Sequence, residues 1–238
     1  MSDAVVIGAG PAGLMAADVL ADAGHRVTLC DAKPSVGRKF LMAGKSGLNL
    51  TKDEPNTPFM QAYAEARGPL TPIIAAFDGG AVQDWARGLG QDIFTGSTGR
   101  VFPTSMKASP LLRAWLARLQ DSGVQINVKW DWQGWNSDGL AFGTADGVQA
   151  LQADVTVLAL GGASWPRLGS TGTWDAILKG RGIALAPFAP SNAGIAVDWS
   201  PHMTKHFGAP IKGVSWAAGR YVSRGEASLS ACGLEGGG

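Results

Sequence analysis

Val5-Val6-Ile7-Gly8-Ala9-Gly10-Pro11-Ala12-Gly13 is the stretch that decides the fold. A short apolar, β-branched run feeds a G-x-G-x-x-G turn, and the alanine-rich segment Leu14 to Ala23 follows with no breaker before Gly24. That order is strand, turn and helix. Gly8 permits the tight turn, Gly10 lets the backbone approach a pyrophosphate without an intervening Cβ, and Gly13 lets the helix pack close to the strand. A pyrophosphate would then meet the helix N-terminus, where unpaired N–H groups and the helix dipole favour negative charge.

A glycine-rich turn alone also joins strands to helices in proteins that bind nothing, so its flanks matter. Arg26-Val27-Thr28-Leu29-Cys30 reads as a second strand ending at Asp31, 18 positions beyond Gly13, close to where a ribose-binding acid is expected. A carboxylate there accepts hydrogen bonds from ribose hydroxyls and repels a 2′-phosphate, which favours FAD or NAD over NADP. The plain alternative is a solvated carboxylate at a strand end.

Composition bounds the rest. With 238 residues and 45% hydrophobic content the chain can bury a core as one large domain or two. A net charge of +1 with scattered Lys and Arg offers no block suited to nucleic acid or to a membrane surface. No basic segment precedes the first apolar run, and no apolar stretch approaches the ~20 residues of a membrane span. A cytoplasmic location is therefore expected. Two cysteines, Cys30 and Cys232, supply neither a disulfide framework nor a zinc cluster, so no metal is expected. Cys30 reads as a small buried hydrophobe.

Beyond Asp31, the stretch Gly37 to Thr51 holds three cations, three glycines and small polar residues. It is too glycine-rich for a helix throughout and too basic for a core strand, and it suits a second contact with a phosphate or an extended cofactor. An ordinary solvated loop is the alternative. Residues 55 to 90 read as short helices broken by prolines and Gly79-Gly80, and Gly96 to Pro103 as a turn and a short strand. Together they form an insertion of about 55–106. Arg100 and Lys107 could face an anion or simply lie on the surface. Ser109-Pro110 is expected to open a helix to about Asp121, with Ser109 as N-cap, and Val124 to Val128 to follow as a strand of the main sheet. From Lys129 to Asp154, turns at Asn136-Ser137-Asp138-Gly139 and Ala145-Asp146-Gly147 separate short alternating runs, as in a three-stranded meander. Trp130, Trp132 and Trp135 are expected to cover that meander. Asp154 to Leu160 then re-enters the sheet as a buried parallel strand, ending at Gly161-Gly162.

This arrangement resembles the glutathione-reductase-like FAD fold, and more specifically the bacterial BaiN-type, aminoacetone oxidase-like family of NAD(P)/FAD-dependent oxidoreductases. The resemblance rests on Gly8 to Gly13, Gly37-Arg38-Lys39 with Gly44 to Thr51, Gly99-Arg100-Val101-Phe102-Pro103, and Ala159 to Pro166. Gly169-Ser170-Thr171-Gly172 and Gly233-Leu234-Glu235-Gly236-Gly237 extend it. Much of that family has a Gly-Gly-Arg-Cys-Asn type run where this chain has Lys45-Ser46-Gly47-Leu48-Asn49, so no cysteine chemistry carries over. The resemblance implies FAD contacts at Gly8, Gly10, Ala12, Gly13, Asp31, Arg38, Lys39, Asn49, Gly161 and Gly162. Pro11, Ala32, Lys33, Gly44, Ser46 and Leu50 complete the expected cofactor-binding set.

The fold class that follows is α/β. A Rossmann-like FAD-binding domain over 1–187, with a parallel sheet, helices and a β-meander, precedes the start of a β-rich second domain over 188–238. The family continues where this chain stops at Gly236-Gly237-Gly238, so a truncated member is expected, with a natural short variant as the alternative. By resemblance, the chain is an oxidoreductase that moves a hydride between flavin N5 and a small-molecule substrate or NAD(P)H. The alternative is a non-catalytic flavin- or nucleotide-binding module. His202 and His206 lie at helical spacing and read as packing or surface residues, because no third ligand accompanies them. Neither catalytic residues, substrate nor oligomeric state is legible.

Overall fold

Alternation along the first strand sets the layers. In the computed structural model, which describes residues 1–43, 47–189 and 194–236, the chain divides into compact units Met1–Leu185 and Ala186–Gly238. The first unit opens with β1 (Asp3–Ile7), α1 (Pro11–Asp22) and β2 (Arg26–Asp31), the two strands pairing in parallel. Successive side chains of a strand point to opposite faces. Ala4 and Val6 accordingly pack in one core with Leu14 and Ala17 of α1, while Val5 and Ile7 pack in another with Phe142 and Leu178. β2 repeats the division, Val27 and Leu29 joining the first core and Cys30 the second.

The glycine-rich segment after Asp31 contains a short helix, α2 (Arg38–Ala43). The insertion then runs through β3 (Thr51–Lys52), α3 (Asn56–Gln61), α4 (Arg67–Ala76), α5 (Gly79–Gly88), β4 (Ile93–Thr95) and β5 (Arg100–Pro103). Its strands form an antiparallel sheet in the order β3-β5-β4. Helix α6 (Ala108–Asp121) follows, and its buried stripe Leu111, Leu112, Trp115 and Leu119 packs in the core that holds α1. β6 (Gln125–Val128) pairs in parallel with β2. The meander is β7 (Asp131–Asn136), β8 (Gly139–Thr144) and β9 (Gly147–Leu151), after which β10 (Val155–Leu158) returns beside β1. The main sheet is thus β10-β1-β2-β6, all parallel. Helices α1 and α6 cover one face; the meander and α7 (Trp174–Gly180) contribute Trp132, Leu140, Phe142 and Leu178 to the core on the other.

Two local expectations are corrected. Helix α6 begins at Ala108, with Lys107 in the capping position and no side-chain cap, so Ser109 lies inside the first turn. Proline is tolerated at any first-turn position, because those N–H groups have no intrahelical partner, and so Pro110 does not fix the start to one residue. Strand β10 is parallel but not buried: Val155 is 43% and Leu158 38% exposed. It pairs with β1 on one side and ends the strand order, and an apolar run reads alike whether it lies inside a sheet or at its margin.

The second unit is antiparallel, with β11 (Ile195–Ala196), β12 (Pro210–Ala218), β13 (Tyr221–Ser230) and β14 (Gly233–Glu235) in the order β11-β14-β13-β12. Pro201–His206 is a 3₁₀ helix. At three residues per turn, positions four apart do not share a face, which separates His202 from His206. Among the described residues no cluster of three His, Cys, Asp or Glu side chains could hold a metal ion, and no helix is long and apolar enough to cross a membrane.

Candidate functional site

The C-terminal ends of β1, β2 and β10 meet at one cavity of about 210 Å³. The chain leaves β1 toward β2 on one side, while β10 lies on the other. That reversal of strand order is where open α/β sheets hold their ligands.

The turn after β1 forms the floor. Gly8 sits at φ +103, and a Cβ there would stand 2.3 Å from the Ala159 carbonyl oxygen. At Gly13 a Cβ would fall 1.8 Å from the Gly8 oxygen, so the helix is seated directly on the turn. Gly10 differs: a Cβ there would meet nothing within 4 Å, and the residue lines the cavity. Helix α1 has Gly10 as its cap, Pro11 in its first turn, no side-chain cap and no acidic residue in that turn. No acidic side chain of that turn therefore offsets its positive end.

Asp31, at the end of β2, is 9% exposed. Its Oδ2 accepts the amide of Ala9 at 3.0 Å, and its Oδ1 accepts the amide of Lys33 at 2.8 Å and Arg38 Nη2 at 3.2 Å. A carboxylate offers about four lone-pair sites, so roughly one acceptor site remains, on Oδ2. This suits a single hydroxyl and fixes the carboxylate before any ligand arrives. Arg38 also donates from Nε to the Leu168 carbonyl at 3.0 Å and from Nη1 to the Ser35 carbonyl. The guanidinium therefore ties the acid to a distant segment of chain, a role that sequence spacing does not reveal. Lys39 Nζ reaches the Ser164 carbonyl at 3.4 Å.

Of the residues expected to bind a cofactor, Gly8, Gly10, Pro11, Ala12, Asp31, Ala32, Lys33, Arg38, Lys39 and Gly161 line this cavity. Gly13 lies beneath the turn, and Asn49, Leu50 and Gly162 do not line it. Leu50 instead donates its amide to the Val101 carbonyl at 2.9 Å, joining the loop to the insertion. Gly44 and Ser46 lie outside the described residues. Arg100 and Lys107 are exposed and away from the cavity.

Two walls were not assigned from the sequence. Trp130 and Trp132 cover the meander as expected, Trp130 against Phe142 and Trp132 edge-on to Trp135, yet both also line the cavity. The other wall is Leu168 to Thr171 with Thr173, Trp174 and Ile177. Its one sequence signal is the pair Gly169 and Gly172, both with positive φ. Cys30 also borders the cavity, but burial pushes its thiol up to about 12, which leaves it protonated and unreactive at neutral pH.

Residues 2–234 match the family described as the HI0933-like protein Rossmann domain. The chain is 27% identical over 239 aligned positions to the 3-dehydro-bile acid delta(4,6)-reductase of Clostridium scindens. That alignment takes in 97% of this chain and 57% of the relative, so the chain spans little more than half of that protein's length. Among solved structures, the open conformation of a flavocytochrome c3 fumarate reductase is similar with a TM-score of 0.55 at 20% identity, over 75% of this chain and 40% of that one. Thermovibrio ammonificans THI4 is similar with a TM-score of 0.50 at 15% identity, over 76% of this chain and 62% of that one. At such identities these structures establish the fold alone.

Proposed function

The chain belongs to the HI0933-like Rossmann-domain family, and from that premise we propose that it is the cofactor-binding part of an FAD-dependent oxidoreductase. The observation that carries this reading is the convergence, on one cavity, of an uncapped helix N-terminus over Gly8 and Gly10, a preset carboxylate at Asp31, and the cations Lys33, Arg38 and Lys39. Those groups suit FAD: the open space at Gly10 admits a pyrophosphate against the backbone, and the remaining acceptor on Asp31 suits a ribose hydroxyl. When bound, FAD supplies hydride transfer at flavin N5.

The chain's own residues bind and orient. Gly8, Gly10 and the first amides of α1 hold the pyrophosphate, with Pro11 and Ala12 shaping the turn. Asp31 fixes the ribose, assisted by the backbone of Ala32 and Lys33, and Gly161 with Gly162 lets the end of β10 pass close to the cofactor. Asn49, Leu50, Gly44 and Ser46 belong to the second contact loop that the family resemblance assigns. The electron partner is a small organic substrate, with NADH or NADPH as donor. The name of the Clostridium scindens relative makes 3-dehydro-bile acids the first substrates to assay.

The test is an absorption spectrum of the purified chain before and after FAD, followed by anaerobic NADH and NADPH. A flavin spectrum retained through gel filtration supports the cofactor assignment, and bleaching by a nicotinamide supports the donor. Folded protein that retains no FAD overturns the proposal. FAD retained without turnover of any donor or substrate points to a binding module.

A further inference from the structure

Ser170 is one of three polar or charged residues that are buried among those described, with 6% of its surface exposed, and it lines the cavity. Its hydroxyl has no hydrogen-bond partner among the described residues, whereas Asp18 and Asp31, the other two, are both bonded. Its neighbour Thr171 pairs its hydroxyl with that of Thr173 at 2.8 Å. The hydroxyl oxygen is not among the sealed atoms without a partner but opens on the cavity, so it is free to bond a ligand atom there.

The surrounding chain holds Ser170 in place. On its N-terminal side, Trp165 at φ +63 leads into a one-turn 3₁₀ helix, Pro166–Leu168, and the Leu168 carbonyl accepts Arg38 Nε. Gly169 then passes over the Arg38 guanidinium and the Lys33 stem at φ +104: a Cβ there would lie 2.8 Å from Nη2 and 3.3 Å from Lys33 Cγ. Across the cavity wall is Gly161, at φ +71, where a Cβ would stand 2.9 Å from Ser170 Oγ. Arg38 thus latches the segment onto the carboxylate that is poised for ribose, and the absent side chain at Gly161 leaves room for the hydroxyl.

We propose that Ser170 is a ligand-binding residue, its hydroxyl donating a hydrogen bond to an oxygen of the bound dinucleotide. Arg38 acts as the positioning residue that brings Ser170 to the site. This rests on the FAD reading above and adds a binding residue drawn from the Gly169-Ser170-Thr171-Gly172 run. The oxygen belongs to the pyrophosphate or to a sugar-alcohol hydroxyl, which differ in the strength of the bond they accept.

The experiment measures FAD and ADP dissociation constants, by quenching of protein fluorescence, for the wild-type chain, Ser170→Ala and Arg38→Lys, alongside the melting temperature of each without ligand. Ser170→Ala is expected to weaken FAD binding about 2- to 10-fold if the acceptor is a hydroxyl and more than about 10-fold if it is a phosphate oxygen. Because the hydroxyl has no internal partner, its melting temperature without ligand should stay at the wild-type value. An equal loss with ADP places the acceptor in the adenosine diphosphate half, and a loss with FAD alone places it beyond. Arg38→Lys should weaken FAD binding and also speed amide exchange across 166–170 in the ligand-free chain. Wild-type affinity in Ser170→Ala overturns the proposal, as does a fall in its ligand-free melting temperature without a change in affinity. If wild-type protein binds no FAD, the function itself fails and this inference with it; wild-type binding with an unaffected Ser170→Ala removes this inference alone.

Discussion

Two glycines of the same turn, three residues apart, should fail in opposite ways when each is replaced by alanine. At Gly13 a Cβ would sit 1.8 Å from the Gly8 carbonyl oxygen and 3.2 Å from Ala159 Cβ. The first neighbour is backbone and cannot rotate away, so the turn and the helix must part by about 1 Å or more. Overpacking of this kind costs about 3 kcal/mol, against a gain of about 1 kcal/mol for alanine over glycine within a helix. The net loss of about 2 kcal/mol should lower the melting temperature by roughly 4–8 °C for a unit of this size. Gly10 has φ −81 and ψ −176, open to any residue, and its Cβ would meet nothing within 4 Å. Gly10→Ala should therefore melt within about 3 °C of wild type, the conformational terms being about 1 kcal/mol or less. Its methyl would occupy the approach to the backbone and remove hydrogen bonds to a charged group, worth about 1.5–3 kcal/mol, or roughly 10- to 100-fold in FAD affinity. Differential scanning calorimetry and FAD titration of both variants separate the effects. A stable Gly13→Ala, or a Gly10→Ala that binds FAD normally, would refute the reasoning.

Other consequences follow from single contacts. Asp31→Ala strands the amides of Ala9 and Lys33 and the Arg38 guanidinium; a loss of about 3 kcal/mol in urea unfolding is expected, together with weaker FAD binding. Asp18 accepts Trp115 Nε1 at 2.9 Å and pairs with Arg118, and Asp18→Ala should cost about 2 kcal/mol, chiefly through the orphaned indole, with FAD affinity unchanged. Burial raises the Cys30 thiol from 9.0 to about 12. The unfolded chain therefore ionises first as pH rises, and stability is full below about pH 9 and lost between pH 9 and 12. Melting curves at pH 8 and pH 10.5 should show this loss, and Cys30→Ala should flatten it. In the native state at pH 8, a thiol reagent should label Cys232, which is exposed, and spare Cys30.

How much of this was legible depended on whether a feature is local in the chain. The alternation of Ala4, Val5, Val6 and Ile7, the glycine turn and the acid at Asp31 are fixed by the pleat of a strand and the sterics of a tight turn, both set within a few residues. The meander was legible for the same reason, since Asn136 to Gly139 and Ala145 to Gly147 are turn chemistry. Asp31 is legible from its distance from Gly13, but the three donors that hold it, Ala9, Lys33 and Arg38, are not. A carboxylate's partners come from wherever the fold brings donors.

The start of α6 escaped by two residues, because proline marks a first turn without numbering its positions. The exposure of β10 escaped because hydrophobicity along a strand does not say how many strands flank it. Arg38 stands in a motif that implies a cofactor contact, yet it also spans 130 positions of sequence to reach Leu168. Ser170 stands in the sequence only within the Gly169-Ser170-Thr171-Gly172 run of the family resemblance, and only the folded chain shows its hydroxyl opening on the cavity. The sequence by itself determined the strand–turn–helix unit, the parallel α/β class and the family, because these rest on periodicity and on glycines that steric limits require. Tertiary structure alone decided which side chains close the cavity and which polar atoms remain unspent, because burial and hydrogen-bond partnership are properties of chain segments distant in sequence and adjacent in space.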